Sequence, residues 1–104
     1  MDKREDVISK AVQYKQLIVN SNILKGIEHV YLFGSFVNGT PNNNSDIDIA
    51  FVVKQIDGNF FDIIPPINRL TEKVDFRIEP NVIARDTDYA GFLDEIQKTG
   101  IEIV

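Results

Sequence analysis

Two aspartates, Asp46 and Asp48, are separated by one residue and follow the pair Gly34-Ser35 after ten intervening residues. Side chains two positions apart on a β-strand point to the same face, so both carboxylates would lie together. Carboxylates this close repel each other unless a cation neutralises them, which favours magnesium because it prefers oxygen ligands. Glycine lets a phosphate approach the backbone, and the amides after it can donate hydrogen bonds, as can the Ser35 hydroxyl. The pattern predicts a site for a metal ion and a phosphate.

Periodic apolar residues on both sides of this pattern predict the elements that would hold it. In chain order they are a helix over 2–20, a strand over 28–33, a helical turn over 35–38 ending at Gly39, a loop over 40–45, a strand over 46–54, a helix over 60–73, a strand over 74–79, a loop to about 87, a helix over 89–99 and a short strand over 101–104. Pro65 and Pro66 predict a break near Ile64, because proline disturbs a helix interior. We expect one α/β (α+β) domain over 1–104, a small mixed sheet with helices on one face.

A third carboxylate is expected on the strand predicted over 74–79. If that strand lies beside the strand over 46–54, the alternation of its side chains brings Asp75 to the face of Asp46 and Asp48. Three carboxylates can hold two metal ions, which favours displacement at phosphorus, that is phosphoryl or nucleotidyl transfer. The same alternation places Phe76 in the core. It leaves Glu79 as a solvated charge at the strand end.

Simpler interpretations of single residues remain open. Taken alone, Asp46 and Asp48 after an asparagine tract would also fit a polar turn, and Asp75 would also fit an exposed strand face. Ser35 could serve only to cap the short helical turn. His29 comes just before a strand, away from the carboxylates, so we interpret it as structural or exposed. The combination of the glycine turn with three aspartates favours the metal and phosphate site over these alternatives.

Composition limits the classes of partner. A formal net charge of −5 with a pI near 4.7 disfavours binding to long nucleic acid, which requires clustered Lys and Arg. The absence of cysteine excludes disulfides and thiolate zinc sites. The first residues are charged and no apolar run reaches spanning length, so we expect neither a signal peptide nor a membrane helix. We therefore expect a soluble, cytoplasmic protein.

At the level of motifs, Gly34-Ser35, ten residues and then Asp46-Ile47-Asp48 resemble the signature of the DNA polymerase β-type nucleotidyltransferase superfamily. In so short a chain the resemblance is to its minimal nucleotidyltransferase (MNT) branch. It extends to Gly39, to Ser45 before the aspartates, to Val74-Asp75-Phe76 and to Lys98-Thr99-Gly100-Ile101, and so covers most of the chain. The resemblance implies that Gly34 and Ser35, with Ser45, bind the phosphates of ATP or another nucleoside triphosphate. It implies that Asp46, Asp48 and Asp75 ligate magnesium, two ions being expected.

The same resemblance implies transfer of AMP from ATP to a hydroxyl of a partner protein. Members of the MNT branch often pair with a helical HEPN protein in toxin-antitoxin systems, in which the nucleotidyltransferase acts as the antitoxin by modifying the partner or by forming a complex with it. Two alternatives stay open. The chain could be a binding module with weak or no catalysis, or it could transfer a nucleotide to a small molecule.

One departure from the family pattern concerns the segment over 34–39, which we call the phosphate turn. Many members carry arginine at the positions of Phe36 and Asn38, and this chain has none there. On the strand predicted over 74–79, Arg77 would lie on the face of Asp75, which makes it the candidate replacement.

Overall fold

The computed structural model describes residues 4–39, 45–56, 58–87 and 91–104. Four helices and four strands lie within these ranges, joined by 3-10 turns at Thr71–Lys73 and Arg85–Thr87: α1 Arg4–Ser21, β1 Ile27–Phe33, α2 Ser35–Asn38, β2 Ile47–Val53, α3 Phe60–Leu70, β3 Ile78–Ala84, α4 Phe92–Thr99 and β4 Ile101–Glu102. None of the helices in these ranges combines the length and the apolar content needed to cross a bilayer.

The four strands form one mixed sheet in the order β3-β2-β1-β4. Strand β1 runs antiparallel to β2 and β4, whereas β3 runs parallel to β2. The register places Asp48 between Phe33 of β1 and Glu79 of β3. The α+β class with a small mixed sheet is confirmed.

Alternation along β2 sorts its residues between two apolar layers. Ile49, Phe51 and Val53 face a core shared with α1, α2 and α3. Ala50 and Val52 face a second cluster, to which α4 contributes Leu93 and Ile96. Three helices therefore share one face as predicted, while α4 covers part of the opposite face. That second face also carries Asp48, two positions before Ala50.

A buried tyrosine connects the two long helices over the centre of the sheet. The hydroxyl of Tyr14 in α1 donates a hydrogen bond to the carbonyl oxygen of Ile67 in α3 at 2.6 Å. Its ring packs edge-on against Phe51 of β2 at a centroid distance of 5.8 Å. Burial raises the pKa of Tyr14, so it stays neutral. These contacts fix α1 and α3 on the sheet face behind the candidate site.

Most predicted elements occur close to their expected bounds. The first helix, β1, the helical turn at 35–38 and β2 are confirmed, and Gly39 ends the turn by donating its N–H to the carbonyl of Ser35 at 3.0 Å. The last helix begins at Phe92, and the predicted start at Tyr89 lies outside the described residues. The terminal strand is shorter than predicted, and most of the loop predicted over 40–45 falls outside the described ranges.

The predicted break near Ile64 is wrong, because α3 continues through Pro65 and Pro66. Each proline removes the amide that would bond to the carbonyl four residues earlier, on Phe61 or Asp62. Both of those residues are exposed, so water can satisfy their carbonyls. Asn59 begins the helix by accepting the N–H of Phe61 through its side chain at 2.9 Å.

The strand predicted over 74–79 is also wrong: β3 is Ile78–Ala84, and the residues before it form a turn. Pro80 was expected to end the strand, since it has no N–H for a ladder. In the structure β3 is the last strand on its side of the sheet, where one edge of the strand needs no ladder partner. Proline is tolerated on such edge strands. This shift brings Glu79, in place of Asp75, beside Asp48.

Candidate active site

A glycine at the end of β1 brings the backbone against a carboxylate. Gly34 has φ 84° and ψ −152°, a conformation that is essentially restricted to glycine. A Cβ atom at this position would collide with the carboxylate oxygen Oδ2 of Asp48. Position 34 therefore requires glycine for its backbone angles and for the space beside Asp48. The next residue, Ser35, begins α2 at this end of the sheet.

Gly34→Ala is expected to lower the free energy of unfolding by about 1–3 kcal/mol from backbone strain alone, and to displace Asp48 in addition. Gly26→Ala is the matched control, because Gly26 also has a positive φ of 70° but a Cβ there meets no atom within 4 Å. Urea unfolding of both variants measures how much more stability Gly34→Ala loses than a replacement at a positive φ in open space. Equal losses of stability in the two would contradict a tight contact between Gly34 and Asp48.

Asp46, Asp48 and Glu79 form what we call the carboxylate cluster. Burial, the nearby charges of Glu79 and Asp46 and a hydrogen bond with the Glu79 side chain raise the pKa of Asp48 to about 6. Asp48 is half-buried, whereas Asp46 and Glu79 are exposed. Asp48 thus holds a proton more readily than an isolated aspartate does, because it is half-buried and because the charges of Glu79 and Asp46 lie nearby.

The donor set of the carboxylate cluster suits magnesium. Magnesium takes oxygen ligands, keeps several waters and is usually held by one or two carboxylates together with phosphates of the substrate. A divalent cation would relieve the charge repulsion that, together with burial, raises the pKa of Asp48. In the described part of the chain, no three or more Asp, Glu, His or Cys side chains are gathered as a ready metal site. Sharing an ion with Asp48 would therefore require the exposed side chains of Asp46 and Glu79 to reorient.

Asp75 is not brought to the carboxylate cluster. Its side chain is 8% exposed, and its oxygen Oδ2 lies 2.7 Å from Lys10 Nζ and 2.7 Å from Arg77 Nη2. Hydrogen bonds from Arg77 and Lys10 hold the pKa of Asp75 well below its usual range. Asp75 precedes β3 in a turn, so the strand-face argument that assigned it to the metal site does not apply. We call Lys10, Asp75 and Arg77 the ion-pair cluster.

Arg77 was expected to supply positive charge to the phosphate turn, but its side chain is paired with Asp75 in the ion-pair cluster. Its guanidinium makes two hydrogen bonds to Asp75, at 3.1 and 2.7 Å, and its side chain is 13% exposed. Phe36, at a position where the resemblance to the family led us to expect arginine, is 5% exposed in the core. Arg4 of α1 does reach the phosphate turn and donates a hydrogen bond to the carbonyl of Val37 at 3.2 Å.

Two further expectations concern single residues. Ser45 is half-buried directly before Asp46, at the same end of the sheet as Gly34 and Ser35. His29 lies 2.8 Å from Glu102 on the neighbouring strand β4 and takes no part in the carboxylate cluster. Its placement agrees with the interpretation of His29 as structural or exposed.

Comparison with known proteins identifies the family to which the chain belongs. A family model described as "Polymerase beta, Nucleotidyltransferase" matches residues 8–104. The chain is 32% identical over 101 residues to a protein of Methanocaldococcus jannaschii named "Putative protein adenylyltransferase MJ0141", covering 94% of this chain and 99% of that one. It resembles the crystal structure of a "putative nucleotidyltransferase" from Sulfolobus solfataricus with a TM-score of 0.58 and 25% identity, over 98% of this chain and 86% of that one. The chain belongs to the polymerase beta nucleotidyltransferase family.

Proposed function

We propose that this protein is a magnesium-dependent nucleotidyltransferase that moves AMP from ATP to a hydroxyl of a partner protein. The observation that carries the proposal is the position of Asp48, which pairs with Glu79 in the sheet and touches the backbone at Gly34. Carboxylates and a glycine turn thus meet at one point, as binding of a metal-nucleotide requires.

In this proposal the phosphate turn binds the phosphates of ATP and the carboxylate cluster binds the metal. The backbone at Gly34 and Ser35 binds the β- and γ-phosphates, assisted by the hydroxyls of Ser35 and Ser45. The carboxylate cluster holds magnesium, and three carboxylates are enough for two ions. When bound, magnesium neutralises charge on the phosphate oxygens and on the leaving group. Glu79 takes the part that the sequence assigned to Asp75.

The reaction is an in-line displacement at the α-phosphorus of ATP. The acceptor hydroxyl oxygen forms a bond to this phosphorus, the bond to the oxygen bridging towards the β-phosphate breaks, and pyrophosphate leaves. The hydroxyl proton passes to a carboxylate of the cluster. Glu79 is well placed for this step, since it is exposed at the edge strand where an acceptor can enter.

The acceptor and the nucleotide are proposed on the basis of similarity. The relative from M. jannaschii carries the name "Putative protein adenylyltransferase MJ0141", which supports ATP as donor and a protein hydroxyl as acceptor. The resemblance to the MNT branch supports a helical HEPN protein as the partner, within a toxin-antitoxin pair. ATP as substrate and magnesium as cofactor agree with the cytoplasmic location that we propose.

Incubation with ATP labelled at the α-phosphate, magnesium and the protein encoded beside this chain should label that partner. ATP labelled at the γ-phosphate should give no signal, because pyrophosphate is released. The double substitution Asp46→Ala/Asp48→Ala should abolish labelling. The control Asp62→Ala/Glu72→Ala removes the same charge from exposed positions outside the cluster and should leave labelling intact. Labelling that survives the loss of Asp46 and Asp48 would disprove the mechanism.

A second candidate is a binding module that neutralises its partner without catalysis. It is favoured by the burial of Phe36 and by the pairing of Arg77 with Asp75, since neither position supplies a cation to the phosphate turn. Calorimetric titration with magnesium and ATP separates the two candidates. Absence of ATP binding, together with inhibition of the partner at a 1:1 ratio, would support the binding module.

A further inference from the structure

Phe76 is the aromatic side chain most at odds with its sequence pattern. Alternation predicts that it lies in the core, yet its side chain is 83% exposed. It lies in the turn between the 3-10 helix Thr71–Lys73 and β3. A single exposed phenylalanine is common on protein surfaces and by itself carries no function. The bonding of the residues on either side distinguishes this one.

The backbone around Phe76 is held on both sides. The carboxylate of Asp75 accepts the N–H of Arg77 at 2.9 Å, and the carbonyl of Asp75 accepts the N–H of Ile78 at 3.1 Å. The N–H of Asp75 donates to the carbonyl of Thr71 at 2.9 Å. The side chains of Asp75 and Arg77 are tied together within the ion-pair cluster. The Phe76 ring is therefore presented from a fixed backbone, and only its own torsions are free.

This turn borders the carboxylate cluster. The carbonyl of Arg77 accepts the N–H of Ile47 at 2.9 Å, and Ile47 stands between Asp46 and Asp48. Phe76 precedes Glu79 by three residues, a span of at most about 11 Å even in a fully extended chain. The residue therefore lies on the β3 side of the cluster. The phosphate turn at Gly34 follows β1, on the other side of Asp48.

We propose that Phe76 stacks on the base of the nucleoside triphosphate, an inference that rests on the proposed function. With the β- and γ-phosphates at the turn after β1 and the α-phosphorus over the carboxylates, the nucleoside extends towards β3. A flat aromatic face suits a base because every base has a π-face. The sequence neighbours Asp75 and Arg77 are directed into the ion-pair cluster, so they do not extend the apolar surface that the ring presents.

The chain contains no tryptophan, which makes Phe76→Trp a reporter with no background. Magnesium with ATP should change the fluorescence of Trp at position 76, whereas magnesium with tripolyphosphate, which lacks a base, should not. Phe61→Trp is the matched control, because Phe61 is 79% exposed on α3. Its fluorescence should be the same with either ligand.

Binding measurements provide an independent test of the stacking. Phe76→Ala should weaken binding of ATP by roughly 5- to 150-fold, the effect of losing one base–aromatic stack, and leave tripolyphosphate binding unchanged. Phe61→Ala should alter neither. If the wild-type protein binds no ATP, the proposed function fails, and this inference fails with it. If ATP binds but the Phe76 variants behave as wild type, only the inference fails. Normal ATP binding by Phe76→Ala with loss of transfer would overturn it in favour of a contact with the acceptor.

Discussion

Glu79→Gln is expected to reduce the rate of nucleotidyl transfer by roughly three orders of magnitude without unfolding the protein. Charge stabilisation by an enzyme-bound metal contributes several kcal/mol to the transition state, and each 1.4 kcal/mol corresponds to about a tenfold change in rate. Glu79 is exposed, so its replacement by the isosteric amide should change the free energy of unfolding by no more than about 0.5 kcal/mol. Single-turnover transfer from α-labelled ATP and urea unfolding measure the two quantities.

A second effect of Glu79→Gln, a change in the pKa of Asp48, can be measured without substrate. The charge of Glu79 and its hydrogen bond both help to raise the pKa of Asp48, so that pKa should fall from about 6 in Glu79→Gln. Titration of the metal-free protein by carbon NMR would detect the change. Glu72→Gln serves as the control, because Glu72 is an exposed acid in the 3-10 turn before β3 and should affect neither the rate nor Asp48. Full activity in Glu79→Gln would exclude Glu79 as the third carboxylate.

The part of the site formed by neighbours in the chain could be predicted from the sequence. An apolar run ending in glycine, a polar segment and two aspartates before another apolar run define β1, the turn and β2 through local rules of alternation and of glycine conformation. The prediction of Gly34, Asp46 and Asp48 as site residues rests on these local rules alone. The structure adds the contact between Gly34 and Asp48, which depends on how β1 and β2 pair.

The third carboxylate depends on pairing between distant segments, and local rules do not determine it. Alternation over 74–79 fits a strand, and the edge position of β3, which lets the strand pass through Pro80, is a property of the whole sheet. Lys10 and Asp75 are 65 positions apart in the chain, so no local pattern predicts their ion pair. A carboxylate can thus carry the local pattern of a catalytic residue and still be bound in an ion pair. Glu79 already lies within the alternating segment over 74–79, and only the pairing of β3 with β2 places it beside Asp48.

The ion-pair cluster leads to a prediction about stability for Asp75. Asp75→Asn should lower the free energy of unfolding by about 3–5 kcal/mol at neutral pH, because Lys10 and Arg77 would lose their counterion in a largely buried setting. Asp94→Asn is the matched control. Asp94 pairs with Lys98 at 3.0 Å on the exposed side of α4, where a salt bridge contributes no more than about 1 kcal/mol.

The pH dependence of the stability difference between wild type and Asp75→Asn tests whether the charge of Asp75 is its cause. The pKa of Asp75 is lower in the folded protein than its usual value near 3.9, so its ionised form stabilises the fold above that value. This stabilisation is lost as the pH falls below about 4 towards the folded pKa. The stability gap between wild type and Asp75→Asn should therefore be constant from about pH 5 to pH 8 and narrow by pH 3. Urea unfolding at pH 7 and pH 3 measures it. A gap of equal size at both values would mean that Asp75 acts through packing and neutral hydrogen bonds, and that its charge contributes little.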